Sequence, residues 1–122
     1  MQSPLNILIV EDNPGDLLLL EEYISLSAVP VAGIRAAGSL EKTIPLLEEY
    51  SPDIIFLDLH LPDSSGLETF SRISEFASGS AIIVLSGLSD TKIALEAITL
   101  GAQDYLSKGE FDEKLLGRTI RY

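Results

Sequence analysis

The 122-residue sequence contains no cysteine and a single histidine, His60. The first absence excludes thiol catalysis and disulfide bridging, and it leaves redox compartment unread. The second leaves His60 without a partner at metal-ligand spacing, so it reads as a loop residue. Basic residues are scarce, 8 against 19 acidic, for a formal charge of -11. That balance opposes the phosphate neutralisation on which nucleic-acid binding depends, and direct contact with DNA or RNA is not expected. No apolar run approaches the length of a membrane span, and Met1-Gln2-Ser3-Pro4 lacks the basic start of a signal peptide. The expectation is a soluble cytoplasmic domain without membrane association. A hydrophobic content of 46% is enough for one compact core over residues 1–122.

Short apolar runs alternate with longer helical patterns, the signature of strand-helix units that build a parallel sheet covered on both faces. Strands are expected over Leu5 to Val10, Val31 to Ala36, Ile54 to Leu57, Ala81 to Leu85 and Gln103 to Leu106. The first, third and fourth are nearly all aliphatic and therefore central; the second, with Arg35 and small residues, reads as an edge. The first helix starts near Pro14-Gly15-Asp16. The second follows Ser39 but contains Pro45, which predicts a kink or a late start. Ser65-Gly66-Leu67-Glu68 reads as a capping box opening the third helix. The fourth runs from about Asp90 to Leu100 and stops at Gly101. The fifth begins near Phe111-Asp112 and is still amphipathic at Arg121-Tyr122, which leans towards a helix cut before its end.

Polar residues punctuate the ends of these strands: Glu11-Asp12, Asp58, Ser86 and Lys108. In a parallel sheet the carboxyl ends of the strands gather on one edge, so four scattered positions converge on one pocket. Adjacent carboxylates repel unless a cation lies between them. Magnesium suits such a pair, since it takes oxygen ligands and is commonly held by one or two carboxylates with a phosphate. Asp58 could then act as a nucleophile towards a phosphoryl donor, with Lys108 and Ser86 as donors to the equatorial oxygens and Gly87 leaving room for a small donor. Taken singly, each residue has a plainer reading: a helix-initiating loop, a turn, a solvated charge, or for Tyr105 a core aromatic. Their joint placement is what carries the chemistry.

The segments Ile9-Val10-Glu11-Asp12-Asn13, Asp58 through Glu68, Leu85-Ser86-Gly87 and Gly101 through Lys108 agree in order and spacing with one family. On them the chain resembles a response-regulator receiver domain of two-component signal transduction over essentially its whole length. The resemblance implies a flavodoxin-like, doubly wound α/β fold with five parallel strands in the order 2-1-3-4-5 and five helices. It implies a phosphoacceptor role for Asp58, Mg2+ (or Mn2+) held by Glu11, Asp12, Asp58 and the backbone carbonyl of His60, and phosphoryl contact by Lys108. Ser86 and Tyr105 match the switch pair. A histidine kinase or histidine phosphotransfer protein would be the donor, and the fourth helix, fifth strand and fifth helix the output face. That face would meet an effector protein or domain, or a second copy in a phosphorylation-dependent homodimer. The family implies a regulatory domain rather than an enzyme, one that assists only its own phosphorylation and dephosphorylation. Gly109 stands where receivers usually carry proline, so the conformation of the Lys108–Gly109 bond is left to the structure. His60 and Leu88 are expected beside the pocket, governing access of water.

Three other readings have less support. An interaction module that is never phosphorylated has no need of the full acidic, hydroxyl and ammonium set. An aspartyl hydrolase usually carries an acid two residues after its nucleophile, where His60 stands. A flavodoxin would need amide and hydroxyl donors where Glu11-Asp12 are acidic.

Overall fold

The computed structural model describes residues 3–87 and 90–121. Five strands, β1 (Leu5–Val10), β2 (Val31–Ala37), β3 (Ile54–Asp58), β4 (Ala81–Ser86) and β5 (Asp104–Ser107), alternate with five helices. The helices are α1 (Pro14–Leu26), α2 (Leu40–Glu49), α3 (Leu67–Phe76), α4 (Thr91–Thr99) and α5 (Glu113–Arg121). The strands form one parallel sheet in the order β2-β1-β3-β4-β5. This is the flavodoxin-like order, with β1 and β3 meeting where the winding reverses.

Continuous aliphatic strands follow from burial on both faces. Ile7, Ile9, Phe56, Ile83 and Leu85 pack with Leu20, Ile24 and Leu116, beneath α1 and α5. The alternate residues Leu8, Val10, Ile55, Leu57 and Val84 pack with Leu47, Phe70, Ile73, Ala94 and Ala97, beneath α2, α3 and α4. The central strands β1, β3 and β4 therefore need apolar side chains on both faces rather than at every second position. Strand β2, paired on one side only, is largely half-buried or exposed, as its composition implied.

Two local expectations are corrected. Ser65 does not cap α3: the N-cap is Gly66, without a side-chain cap bond, because Ser65 pairs with His60 in a small antiparallel ladder, His60–Leu61 against Ser64–Ser65. Nor does Pro45 delay α2, which begins at Leu40 with the proline inside it. Ser39 Oγ accepts from the Lys42 amide at 3.1 Å, while Asp63 accepts from the Leu40 and Glu41 amides, each at 2.9 Å. Three of the free amides of the first turn are thus satisfied ahead of the proline. At the other end of the molecule, Gly101 closes α4 with φ 124°, a region that favours glycine.

The two amide bonds hold the Asp63 carboxyl below its usual pKa. Its stabilising effect is therefore present above the unfolded-state value and is lost as pH falls through the lower folded value. Asp63→Ala should lower the thermal midpoint at neutral pH. In acid the two proteins should converge, which thermal melts from pH 7 downwards will check.

Candidate functional site

The carboxyl ends of β1, β3, β4 and β5 bring the sequence-expected residues together. Glu11 directly follows β1, and its amide donates to Ala37 O at 3.0 Å, so the strand geometry continues through it. Asp58 is the last residue of β3 and Ser86 the last of β4. Lys108 follows β5, with its amide bonded to Ser86 O at 2.7 Å. Glu11, Asp58 and Ser86 are buried, whereas Asp12 is exposed at the rim.

Asp58 divides its two oxygens. Oδ1 accepts from the His60 amide at 2.9 Å, and Oδ2 accepts from Lys108 Nζ at 2.8 Å. The ammonium also donates to Glu11 Oε1 at 3.2 Å and to Asp16 Oδ2 at 3.1 Å. Burial opposes the charge on Lys108, but the bonds it donates to Asp58 and Glu11 outweigh it and raise the pKa above its ordinary value. Gly109 answers the question left by the missing proline. It takes φ 80°, which turns the chain just after the lysine at no side-chain cost, and no peptide bond among the described residues is cis.

Glu11 has the opposite problem. Burial, and then the neighbouring Asp58, push its carboxyl up to about 7, with Lys108 pulling the other way. Since that value lies above the unfolded one, the stabilisation is complete below about pH 4.5 and is lost as pH rises through 7. Metal-free protein should therefore lose stability on the order of 2–3 kcal/mol between pH 5 and 8, a loss absent in Glu11→Gln. Saturating magnesium should flatten that slope. Urea titrations with and without the cation measure both effects.

Carboxylate oxygens of Glu11, Asp12 and Asp58 lie within 4.8 Å of one another. Among the described residues Glu11 Oε2 is buried without a hydrogen bond, although it lies 3.0 Å from Lys108 Nζ in an ion pair. Hard oxygen donors clustered in this way match what magnesium or manganese takes. Ser86 Oγ is likewise buried, and it has no hydrogen-bond partner among the described residues. Tyr105, on β5, is half-buried and packs against the α4 side of the core. His60 lies at the pocket mouth, where its Nε2 is 2.9 Å from Asp90 Oδ2. Leu88, expected beside the pocket, lies outside the described residues.

Two contacts had no counterpart in the sequence reading. Asp16 reaches Lys108 from α1, and Asp90 is drawn to His60 and makes no side-chain cap on α4. Each pair joins residues distant in sequence, and no local pattern encodes either. The only signal for Asp16 was an acidic residue in the first turn after the acidic pair.

A doubly wound sheet with an acidic pocket and a lysine at its carboxyl edge defines a class of signalling domain, and the comparisons agree. The family model for the response regulator receiver domain matches residues 7–120, and the chain belongs to that family. It is 33% identical over 115 residues to the nitrate/nitrite response regulator protein NarL of Escherichia coli K12, covering 94% of this chain and 53% of NarL. Against the chemotaxis protein CheY of Thermotoga maritima the figures are 28% over 102 residues, 84% of this chain and 83% of that one. The signal receiver domain of an HD domain-containing protein from Pseudomonas fluorescens Pf-5 superposes with a TM-score of 0.83 at 26% identity, covering 99% and 87% of the two chains. The chain spans about half the length of several curated relatives, among them NarL at 53% and the transcriptional regulatory protein DpiA at 52%. Receiver domains are regulatory modules of response regulators. Among the described residues, no helix is long and apolar enough to cross a membrane.

Proposed function

We propose that this domain receives a phosphoryl group on Asp58 from a histidine kinase or a histidine phosphotransfer protein. The observation that carries this reading is a buried carboxylate bonded to Lys108 at 2.8 Å and clustered with Glu11 and Asp12. A purely structural role gives no account of so much like charge under the sheet edge.

An Asp58 oxygen attacks phosphorus. The new P–O bond forms as the bond to the donor nitrogen or oxygen breaks, and that bond's electron pair leaves with the donor. Glu11, Asp12, Asp58 and the His60 carbonyl would hold magnesium. When bound, the cation supplies positive charge that offsets the charge of the incoming group. Lys108 keeps its proton throughout and donates to a phosphoryl oxygen. Ser86, whose hydroxyl lacks a partner among the described residues, gains one in the phosphorylated state. That difference biases an equilibrium between two arrangements, with Tyr105 following Ser86 inward. The output face on α4, β5 and α5 would meet an effector, either a separate protein or an attached domain, or a second copy in a phosphorylation-dependent dimer. A charge of -11 disfavours direct nucleic-acid binding by this domain. The reading places the domain in the cytoplasm.

Incubation with magnesium and a small acyl phosphate should add one phosphoryl mass to the intact protein, and chelation should prevent it. An unchanged mass with both small-molecule and phosphohistidine-protein donors would contradict the reading.

A further inference from the structure

Lys108 has a third carboxylate partner, and it stands outside the acidic cluster. Asp16, in the first turn of α1, accepts from Nζ through Oδ2 at 3.1 Å, whereas the clustered oxygens belong to Glu11, Asp12 and Asp58. An ammonium carries three N–H groups. Here they face three carboxylates: Asp58 at 2.8 Å, Asp16 at 3.1 Å, and Glu11 at 3.2 Å through Oε1 and 3.0 Å through Oε2. Lys108 and Asp16 line one cleft together with Leu20, Leu85 and Phe111. The ammonium is thus held by acceptors on separate elements.

We propose that Asp16 is a positioning residue for phosphoryl transfer to Asp58. It acts through Lys108 and touches neither the donor nor the reacting atoms. The inference rests on the phosphoacceptor reading. Glu11 makes the longer contacts, 3.2 and 3.0 Å against 2.8 Å for Asp58, so the lysine N–H directed at Glu11 is the one released for a phosphoryl oxygen. Asp58 and Asp16 then remain as the two anchors that fix the direction of the freed N–H. Without Asp16 the ammonium pivots on a single bond, and its alignment with the equatorial oxygens is lost.

A rim carboxylate that only repels an anionic donor makes the opposite kinetic prediction, which allows a clean test. With acetyl phosphate at saturating magnesium, Asp16→Leu and Asp16→Ala should lower the maximal labelling rate about tenfold, without raising the donor concentration for half-maximal rate. Asp16→Asn, which keeps an acceptor oxygen, should retain most of the rate. In metal-free protein the 15N-resolved ammonium signal of Lys108 should exchange faster with water in Asp16→Leu than in wild type. If wild type is labelled and Asp16→Leu reaches the same maximal rate at a lower half-saturating concentration, Asp16 is a repulsive rim charge and the inference is overturned. An unchanged Lys108 exchange rate would overturn it independently. If wild type is not labelled by any donor, the phosphoacceptor reading falls and takes this inference with it.

Discussion

Asp58→Asn should abolish phosphoryl incorporation while leaving the metal-free fold at neutral pH no less stable than wild type. An amide oxygen is too weak a nucleophile to displace a leaving group from phosphorus at neutral pH, so the loss should be complete within detection. Stability should follow a different course. Asp58 is buried beside Glu11 and helps to push that carboxyl up to about 7. Replacing its charge with a neutral group removes like-charge repulsion, and the asparagine oxygen can still accept one of the two bonds now made by His60 N and Lys108 Nζ. Intact mass after acyl-phosphate treatment and a urea midpoint, measured on one preparation, decide both halves. Incorporation equal to wild type would move the acceptor to another residue.

Lys108→Met should have the larger effect on the fold and nearly as large an effect on the chemistry. The ammonium is the cation bonded to the buried Glu11 and Asp58. Removing the partly exposed ammonium leaves Glu11 and Asp58 buried without their cation, at a cost approaching the roughly 3–5 kcal/mol of a broken buried pair. Protonation of Glu11, whose carboxyl is pushed up to about 7, relieves part of that cost, so the destabilisation should be greatest near pH 8 and shrink towards pH 5. Magnesium should recover part of it. The labelling rate should fall about 10²- to 10³-fold, the usual loss when one donor to a developing anion is removed. Stability and rate within twofold of wild type would show that Lys108 contributes little to either.

The parts of this molecule legible from its sequence are those set by burial. Strands β1, β3 and β4 are almost wholly apolar because helices cover both faces, and the polar residues at their ends, Glu11, Asp58 and Ser86, mark where the sheet edge meets the pocket. The same logic places Lys108, one residue beyond β5. What escaped the sequence depends on contacts between distant segments. The ladder that pairs His60 with Ser65 is only two residues long on each side, too short for any periodicity, and it took Ser65 away from its expected cap. Asp63 reaches back to the start of α2, so the helix begins on time despite Pro45. Asp16 and Lys108 lie at opposite ends of the chain, and only the packing of α1 beside the turn after β5 brings them within 3.1 Å. Roles that depend on a second conformation, those of Ser86 and Tyr105, rest on the likeness to receivers and on the unsatisfied Ser86 hydroxyl.

Chemical mapping of the acceptor tests the central claim most directly. Borohydride reduces an acyl phosphate to the alcohol with loss of phosphate, so an aspartyl phosphate becomes homoserine. After labelling with magnesium and acetyl phosphate, reduction and peptide sequencing by mass spectrometry, homoserine should appear at position 58 and at no other aspartate. Homoserine at Asp12 or Asp16 instead, or a labelled protein with no homoserine at all, would contradict the account.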